Sequence, residues 1–231
     1  PRSLARLLLA TLLLPLLPAA AFLPPSLHRI RSAHRFQQPL YPPLDHYLPN
    51  SFKGPAMTSA YGGTPGDGLR DVAERLPYLP LRGGEVDGKA VEIGPFKESE
   101  WPDGMALLDR EIEDGRSWPF EAETWGGYRD MEGFRAYFLS HSAFVVRGVE
   151  SGEVMGAFYV KPNFPGRCGH ICNGGFIVKE EHRGKGMGRL MAACFLRIAR
   201  DLGYKASYFN LVFANNKASV RLWESMGFTR V

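Results

Sequence analysis

The segment Arg183-Gly184-Lys185-Gly186-Met187-Gly188 decides the fold. The apolar run Phe176-Ile177-Val178 precedes it, and the amphipathic stretch 189–202 follows it. This order predicts a strand, a glycine-rich loop and the first turn of a helix. The first N–H groups of a helix have no intrahelical acceptor and lie at the positive end of the helix dipole. The segment therefore predicts a site for a phosphate or pyrophosphate group.

Two common phosphate-binding motifs do not fit these residues. A P-loop requires Ser or Thr directly after Lys185, and the dinucleotide fingerprint requires a third glycine where Arg189 stands. The pattern Arg-x-x-Gly-x-Gly that is present resembles the acetyl-CoA signature of the GNAT N-acetyltransferase superfamily. A glycine-rich turn before an ordinary helix is the alternative for this segment taken alone.

A second segment, residues 215–228, also resembles that superfamily. Asn216 begins a helical pattern, with Val220 and Trp223 on its apolar face and Gly227 as its stop signal. The run looks like the last GNAT motif and follows the first at about the spacing that the fold requires. Trp223 stands where many GNAT enzymes carry a tyrosine as general acid, and an indole N–H is a poor acid.

Apolar periodicity predicts one α/β domain over residues 89–231. The elements follow the order β-α-α-β-β-β-α-β-α-β, which is the GNAT order. The resemblance implies a GNAT fold, in which a central, mixed and mostly antiparallel sheet is splayed at a bulge and has helices on both faces. Gly174-Gly175 suits that bulge. Because the chain stops at Arg230-Val231, the final strand is expected to be truncated.

Residues 162–168, 172–176 and 209–213 show a closer resemblance to the fungal azetidine-2-carboxylate N-acetyltransferases, which act on proline analogues. That resemblance implies an active site lined by Asn173, Asn210 and Asn216. It also implies a catalytic role for Asn173 and a small amine or imino acid as acceptor. An amide cannot take up a proton at neutral pH, so Asn173 would position the amine and donate a hydrogen bond to the oxyanion.

The cofactor prediction is acetyl-CoA as co-substrate, with no metal. The predicted contacts are Phe176, Ile177, Val178, Arg183, Gly184, Lys185, Gly186, Met187, Gly188 and Asn216.

His170 is a further candidate as base, although a lone strand histidine is more often structural. It alternates with Cys168 and Cys172 along one predicted strand, but structural zinc needs four ligands and no second cluster exists. Residues 118–120 and Trp125 are aromatic-rich, and they either line the acceptor pocket or form core under a loop.

The N-terminal residues differ in composition from the rest. Residues 1–45 predict a targeting presequence, because a basic start and an apolar run (7–14) precede a basic stretch without acidic residues (24–41). That layout resembles the bipartite plastid presequence of algae with complex plastids, with secretion, the endomembrane system or the cytoplasm as alternatives. Residues 46–88, rich in Pro and Gly, predict a flexible linker.

Charge excludes one class of partner. Five of the 28 Lys and Arg residues, and none of the 24 Asp and Glu residues, fall in residues 1–40. The remaining chain is nearly neutral, which argues against nucleic-acid binding, and no membrane association is expected of the mature form.

Together these patterns predict an acetyl-CoA-dependent N-acetyltransferase that works by direct transfer in a ternary complex. A protein amino group as acceptor and a non-catalytic acyl-CoA-binding regulatory domain are the alternatives. Homodimerisation is open.

Overall fold

One sheet of nine strands runs through the described part of the chain. The computed structural model describes residues 9–15, 72, 74–120, 130–164 and 166–231. The strands are β1 (Leu9–Pro15), β2 (Leu81–Val86), β3 (Lys89–Pro95), β4 (Ser142–Gly148), β5 (Val154–Pro162), β6 (Ile171–Asn173), β7 (Phe176–Val178), β8 (Ala206–Phe213) and β9 (Thr229–Arg230). The helices are α1 (Trp101–Asp114), α2 (Met131–Tyr137), α3 (Met187–Asp201) and α4 (Lys217–Ser225).

The sheet is mixed and mostly antiparallel. Its strand order is β2-β3-β4-β5-β6-β8-β1-β9, and β7 lies off this path and pairs with β5. Among the described strands, the pairing of β6 with β8 is the parallel one. This architecture confirms the predicted α/β class.

Apolar side chains form a core on each face of the sheet. On one face, Phe158 packs with Phe195 of α3 and Trp223 of α4. On the other face, Leu108 of α1 and Phe134 of α2 belong to the second core. Each helix buries one apolar face against the sheet, as helical spacing of its apolar residues requires. The candidate site lies in the sheet itself, where neighbouring strands separate beside β7.

The sheet splays open at Gly174-Gly175. On one side of this point Lys161 pairs with Asn173, and on the other Phe158 pairs with Phe176. Both strands advance by three residues between these two pairs. The pairing with β5 therefore contains no inserted residue at the position where a bulge was predicted. Only β6 continues to a partner on its far side, β8. β7 therefore leaves one edge facing a cleft.

The glycines at this point are required by packing. A Cβ on Gly175 would lie 2.6 Å from Cε1 of Tyr159 and 2.7 Å from Cη2 of Trp118. A Cβ on Gly174 would lie 2.6 Å from Cε2 of Phe195. Real Cβ atoms do not approach neighbours so closely, so a larger residue at either position would displace the neighbouring aromatic side chains.

The structure differs from the sequence prediction before residue 89. Strand β2 falls within the predicted linker and pairs with β3, and Leu76 is buried in the first core. The domain therefore starts before Lys89. The pattern was missed because Gly83-Gly84 interrupts the alternation of a strand in which Val86 alone is buried.

Residues 9–15 fall within the predicted presequence, and the structure pairs them with β8 and β9. The same apolar run can serve as the h-region of a signal or as a strand, because both require consecutive apolar residues. The other residues of the range 1–45 lie outside the described part, and targeting stays a prediction. No helix within the described residues has the length and apolarity needed to cross a membrane.

Candidate active site

The cleft beside β7 contains two adjoining cavities. The outer cavity, of about 660 Å³, lies between the end of α1, the glycine-rich loop and the first turns of α3 and α4. The inner cavity, of about 170 Å³, lies deeper, between the open edge of β7 and strand β8. Five residues line both cavities: Ser117, Phe176, Asn216, Ser219 and Trp223. A molecule in the outer cavity can therefore reach a molecule in the inner one.

Main-chain groups of β7 are directed into this cleft. The N–H of Tyr159 donates to the carbonyl of Gly175, and the N–H of Lys179 donates to the carbonyl of Met155. In an antiparallel ladder every second residue points its N–H and C=O at the partner strand, so Phe176 and Val178 point theirs away from β5. Both residues line the outer cavity. Their main-chain groups can pair with an amide-containing chain laid along this edge.

The glycine-rich loop forms the far wall of the outer cavity. Gly184 and Gly186 have φ angles of 73° and 89°, in the left-handed region that glycine adopts without strain. Gly186 is the residue before α3, and the first N–H groups of that helix have no intrahelical acceptor. Gly184, Gly186 and Gly188 all line the cavity. The predicted anion site thus has the geometry that binding of a phosphate requires.

Several cations border the outer cavity. Arg183 donates from Nε to the carbonyl of Val178 at 3.0 Å and forms an ion pair with Glu111. Arg189 and Lys217 also line the cavity. Their positive charge adds to that of the helix N-terminus and favours a polyanionic ligand.

Glu111 was not predicted as a site residue. It is buried on α1, accepts a hydrogen bond from Ser117 and pairs with Arg183. The ion pair between Glu111 and Arg183 thus connects α1 with the glycine-rich loop on the other side of the cavity. The available sequence signal was a carboxylate between the apolar positions 108 and 112 of an amphipathic helix.

Aromatic rings and one lysine surround the inner cavity. Its wall includes Trp118, Pro119 and Phe120, and Trp118 and Phe120 also pack in the second core, so both alternatives apply to these aromatics. Trp125 lies outside the described residues. The indole N–H of Trp118 donates to the hydroxyl of Tyr137 at 3.1 Å. The cavity is therefore apolar, with a few fixed polar groups, as small-molecule sites usually are.

Lys161 is the other unpredicted residue of this cavity. It is 4% exposed, and its Nζ lies 4.5 Å from the ring centroid of Tyr159 and 4.9 Å from that of Tyr137. Burial lowers the pKa of Lys161 to about 8, because an ammonium ion loses its hydration there. The signal in the sequence was a lysine within the buried run Val154–Pro162.

Both predicted catalytic asparagines line the inner cavity. Oδ1 of Asn173 accepts a hydrogen bond from the N–H of Gly174 at 2.8 Å. Asn210 exchanges two hydrogen bonds with Asn163, at 2.7 and 2.8 Å, and Asn163 also donates to the carbonyl of Tyr208. Asn163 is buried and fixes the orientation of Asn210. The sequence interpretation included Asn163 in a motif but assigned it no role.

Asn216 has a structural contact as well as a place in the site. Its side chain caps α4 by accepting from the N–H of Ser219 at 3.1 Å. It lines both cavities.

Four predicted site residues lie away from the cavities. His170 is exposed in a turn after a short 3₁₀ segment, where its Nδ1 lies 2.9 Å from the carbonyl of Arg167. Ile177 and Met187 are buried in the two cores. Lys185 forms an exposed ion pair with Asp87, with 2.6 Å between Nζ and Oδ2. The side chains of these residues thus do not line the described cavities, whereas the contacts predicted for the phosphate come from main-chain N–H groups.

The cysteines and His170 do not form a metal site. Cys168 lies in the 3₁₀ segment and is exposed, whereas Cys172 is buried in β6. The strand predicted over 168–178 thus begins at Ile171, and these residues do not share one face. Within the ranges that the structure describes, no group of three or more potential ligands could hold a metal ion.

Comparison with known proteins identifies the family. Residues 105–228, more than half of the chain, match the Acetyltransferase (GNAT) family. The chain belongs to this family, whose members use acetyl-CoA and an amine acceptor.

Two relatives each match about a third of the chain. N-acetyltransferase aca1 of Schizosaccharomyces pombe is 60% identical over 78 residues, which cover 34% of this chain and 37% of that protein. Protein SPT10 of Saccharomyces cerevisiae is 34% identical over 79 residues, which cover 34% of this chain and 12% of that protein. The similarity thus spans well under half the length of each relative.

Solved structures show the same fold. A GCN5-related N-acetyltransferase from Kribbella flavida superposes with a TM-score of 0.54 at 23% identity, covering 59% of this chain and 80% of that one. The GNAT domain of S. lividans PAT gives a TM-score of 0.52 at 14% identity, covering 66% and 89%.

Proposed function

We propose that the protein is an acetyl-CoA-dependent N-acetyltransferase whose acceptor is a small amine or imino acid. The observation that carries this proposal is the pair of cavities with shared walls. A large, basic outer cavity suits the nucleotide co-substrate, and a small inner cavity suits the acceptor. Membership of the GNAT family supports the reaction type.

The outer cavity fits acetyl-CoA in its donors and charge. N–H groups of the loop and of the first turn of α3 would hold the pyrophosphate, with Arg183 and Arg189 nearby. The outward main-chain groups of Phe176 and Val178 would pair with the amides of the pantetheine arm. When bound, the co-substrate supplies the acetyl thioester.

The size of the inner cavity favours a small acceptor. Its volume of about 170 Å³ is below the roughly 300–1,000 Å³ of cavities that hold drug-sized ligands. An imino acid or short amine fits such a space, whereas a folded protein surface presenting a lysine would need an open groove. The rings of Trp118 and Phe120 would exclude water from the reacting amine.

The shared wall supports direct transfer between the two bound molecules. Among the described residues lining either cavity there is no cysteine to form an acetyl-enzyme. The side-chain oxygen of Asn173 accepts a hydrogen bond from the N–H of Gly174. The side-chain NH₂ group of Asn173 is then left to donate to the oxyanion that forms at the acetyl carbonyl. Asn210, held by Asn163, would orient the acceptor.

The test is acetyl transfer by the full chain with a panel of acceptors. The panel contains L-proline, azetidine-2-carboxylate, simple primary amines and a lysine-containing peptide. Release of CoA and the acetylated product are followed together, the product by mass spectrometry. We expect transfer to small acceptors, with intersecting initial-velocity lines, as a ternary complex requires.

Two outcomes would contradict the proposal. Transfer to the peptide alone would make the acceptor a protein amino group. Binding of acetyl-CoA without transfer to any acceptor would make the domain a non-catalytic binding module.

A further inference from the structure

The inner cavity has few groups that can accept a proton. Among the described residues that line it, the titratable side chains are Tyr137, Tyr159 and Lys161. His170, the base considered from the sequence, is exposed outside the cavity. The attacking amine must nevertheless lose a proton as the amide forms, and Asn173 cannot accept one.

Lys161 lies beside the predicted catalytic asparagine. It is directly opposite Asn173 in the pairing of β5 with β6. The main-chain bonds from Tyr159 to Gly175 and from Asn163 to Ile171 flank this pair. Side chains opposite one another in an antiparallel pair share a face, with Cβ atoms about 4.5–5.5 Å apart. The lysine amine and the asparagine amide thus enter the cavity side by side.

The described neighbours of Lys161 include two tyrosine rings and one histidine. Tyr137 of α2 and Tyr159 of β5 present their ring faces to Nζ. His141, just before β4, is the neighbouring titratable group, and burial followed by the charge of Lys161 lowers its pKa to about 4. A histidine with that pKa is neutral above about pH 5 and does not compete for the proton at neutral pH.

We infer that Lys161 is a catalytic residue of the proposed acetyl transfer, in which its neutral ε-amine takes the proton from the attacking acceptor nitrogen. This inference rests on the proposed function. It assigns the base that the sequence left unassigned.

The step balances without any further reactant. The neutral acceptor amine forms a C–N bond to the acetyl carbon, and its proton passes to Nζ of Lys161. The C–S bond breaks, and its electron pair leaves on sulfur as the thiolate. The Lys161 ammonium then returns the proton to the thiolate, which compensates for Trp223 standing where a tyrosine acid would be. Burial, which lowers the pKa of Lys161 to about 8, provides a neutral fraction near physiological pH.

The test compares the full chain with Lys161→Arg and Lys161→Met. Arginine keeps the positive charge but cannot deprotonate, and methionine keeps the length without a proton acceptor. We expect both to lower kcat by about 10²–10⁴-fold, the usual contribution of general acid–base catalysis, with unchanged acetyl-CoA affinity by calorimetry. Lys205→Met, an exposed lysine outside both cavities, is the matched control and should keep wild-type kcat.

A second measurement does not depend on the folding of variants. The kcat/KM of the wild type should show an ionisation near pH 8, because the neutral lysine is the active form. A second ionisation should follow the amine pKa of each acceptor, because the neutral amine attacks, whereas the lysine limb should stay fixed when acceptors of different amine pKa are compared. Absence of a fixed limb near pH 8 would overturn the inference.

The remaining outcomes are distinguishable. Near-normal kcat in either folded Lys161 variant overturns the role of Lys161 and leaves the acetyltransferase proposal standing. Absence of transfer by the wild type with every acceptor overturns the proposed function and the inference with it.

Discussion

Replacing Gly186 with valine tests the placement of the pyrophosphate. Gly186 has a φ of 89° directly before α3, and no atom of the described residues lies within 4 Å of an added Cβ. The Cβ of a valine there has no close contact with the described protein atoms, and because Gly186 lines the outer cavity, the added side chain would narrow the space beside the free N–H groups of the helix. The variant should therefore fold and bind acetyl-CoA poorly.

The size of the effect follows from two separate costs. An L-residue in the left-handed region costs about 1–2 kcal/mol, which lowers the free energy of unfolding. Blocking one hydrogen bond to a charged phosphate costs a further ~1.5–3 kcal/mol in binding. That loss corresponds to acetyl-CoA binding about 10–150-fold weaker, at about 1.4 kcal/mol for each factor of ten.

Gly152→Val is the matched control. Gly152 has a φ of 67° in the turn between β4 and β5, with open space around its Cβ, and it lines neither cavity. Thermal unfolding should show a similar loss of stability in both variants, while calorimetry should show weaker acetyl-CoA binding in Gly186→Val alone. Unchanged affinity in Gly186→Val, or an equal loss in Gly152→Val, would refute the placement.

Four further outcomes are expected. Asn173→Ala should lower kcat by about 10²–10³-fold without weakening acetyl-CoA binding, and Asn173→Asp should have a similarly low kcat. Normal turnover in Asn173→Ala would show that Asn173 has only a structural role, through its hydrogen bond with Gly174. His170→Ala should keep wild-type kcat/KM, since this side chain is exposed outside both cavities, and a large loss would return it to the site. From pH 8 to 10 the stability of the wild type should rise relative to Lys161→Met by about 2 kcal/mol in denaturant titrations, because the lysine pKa is about 8 when folded and about 10.4 when unfolded, and a constant difference would contradict its burial. A fluorescent fusion of residues 1–60 should reach the plastid if the proposed presequence is correct, and a diffuse cytosolic signal would argue against it.

The sequence predicted the elements around the phosphate loop well. Residues 187–201 and 217–225 form helices close to the predicted bounds, because each repeats apolar residues at helical spacing and ends at a glycine signal. These features depend on local chemistry, which a sequence displays directly.

The sequence predicted strands less well where pairing with a neighbouring strand determines the structure. Strand β2 lies at the sheet edge, buries only one of its six residues and contains two glycines, so its sequence lacks the alternation of a strand. The apolar run 9–15 fits a signal peptide as well as a strand, since its composition is the same in either setting. His170 was assigned to a strand that begins one residue later, and this shift moved it out of the site.

The sequence by itself determined the family, the anion-binding loop and the two asparagines that line the inner cavity, because these follow from residue types at fixed spacing along the chain. Only the tertiary structure decided which groups share the cavity. Lys161 meets Asn173 through the pairing of β5 with β6, and Glu111 meets Arg183 across 72 positions of the chain. Cross-strand pairing and the splay between β7 and β8 create these contacts. They depend on which separate segments pair with each other, and the periodicity of one segment does not identify its partner.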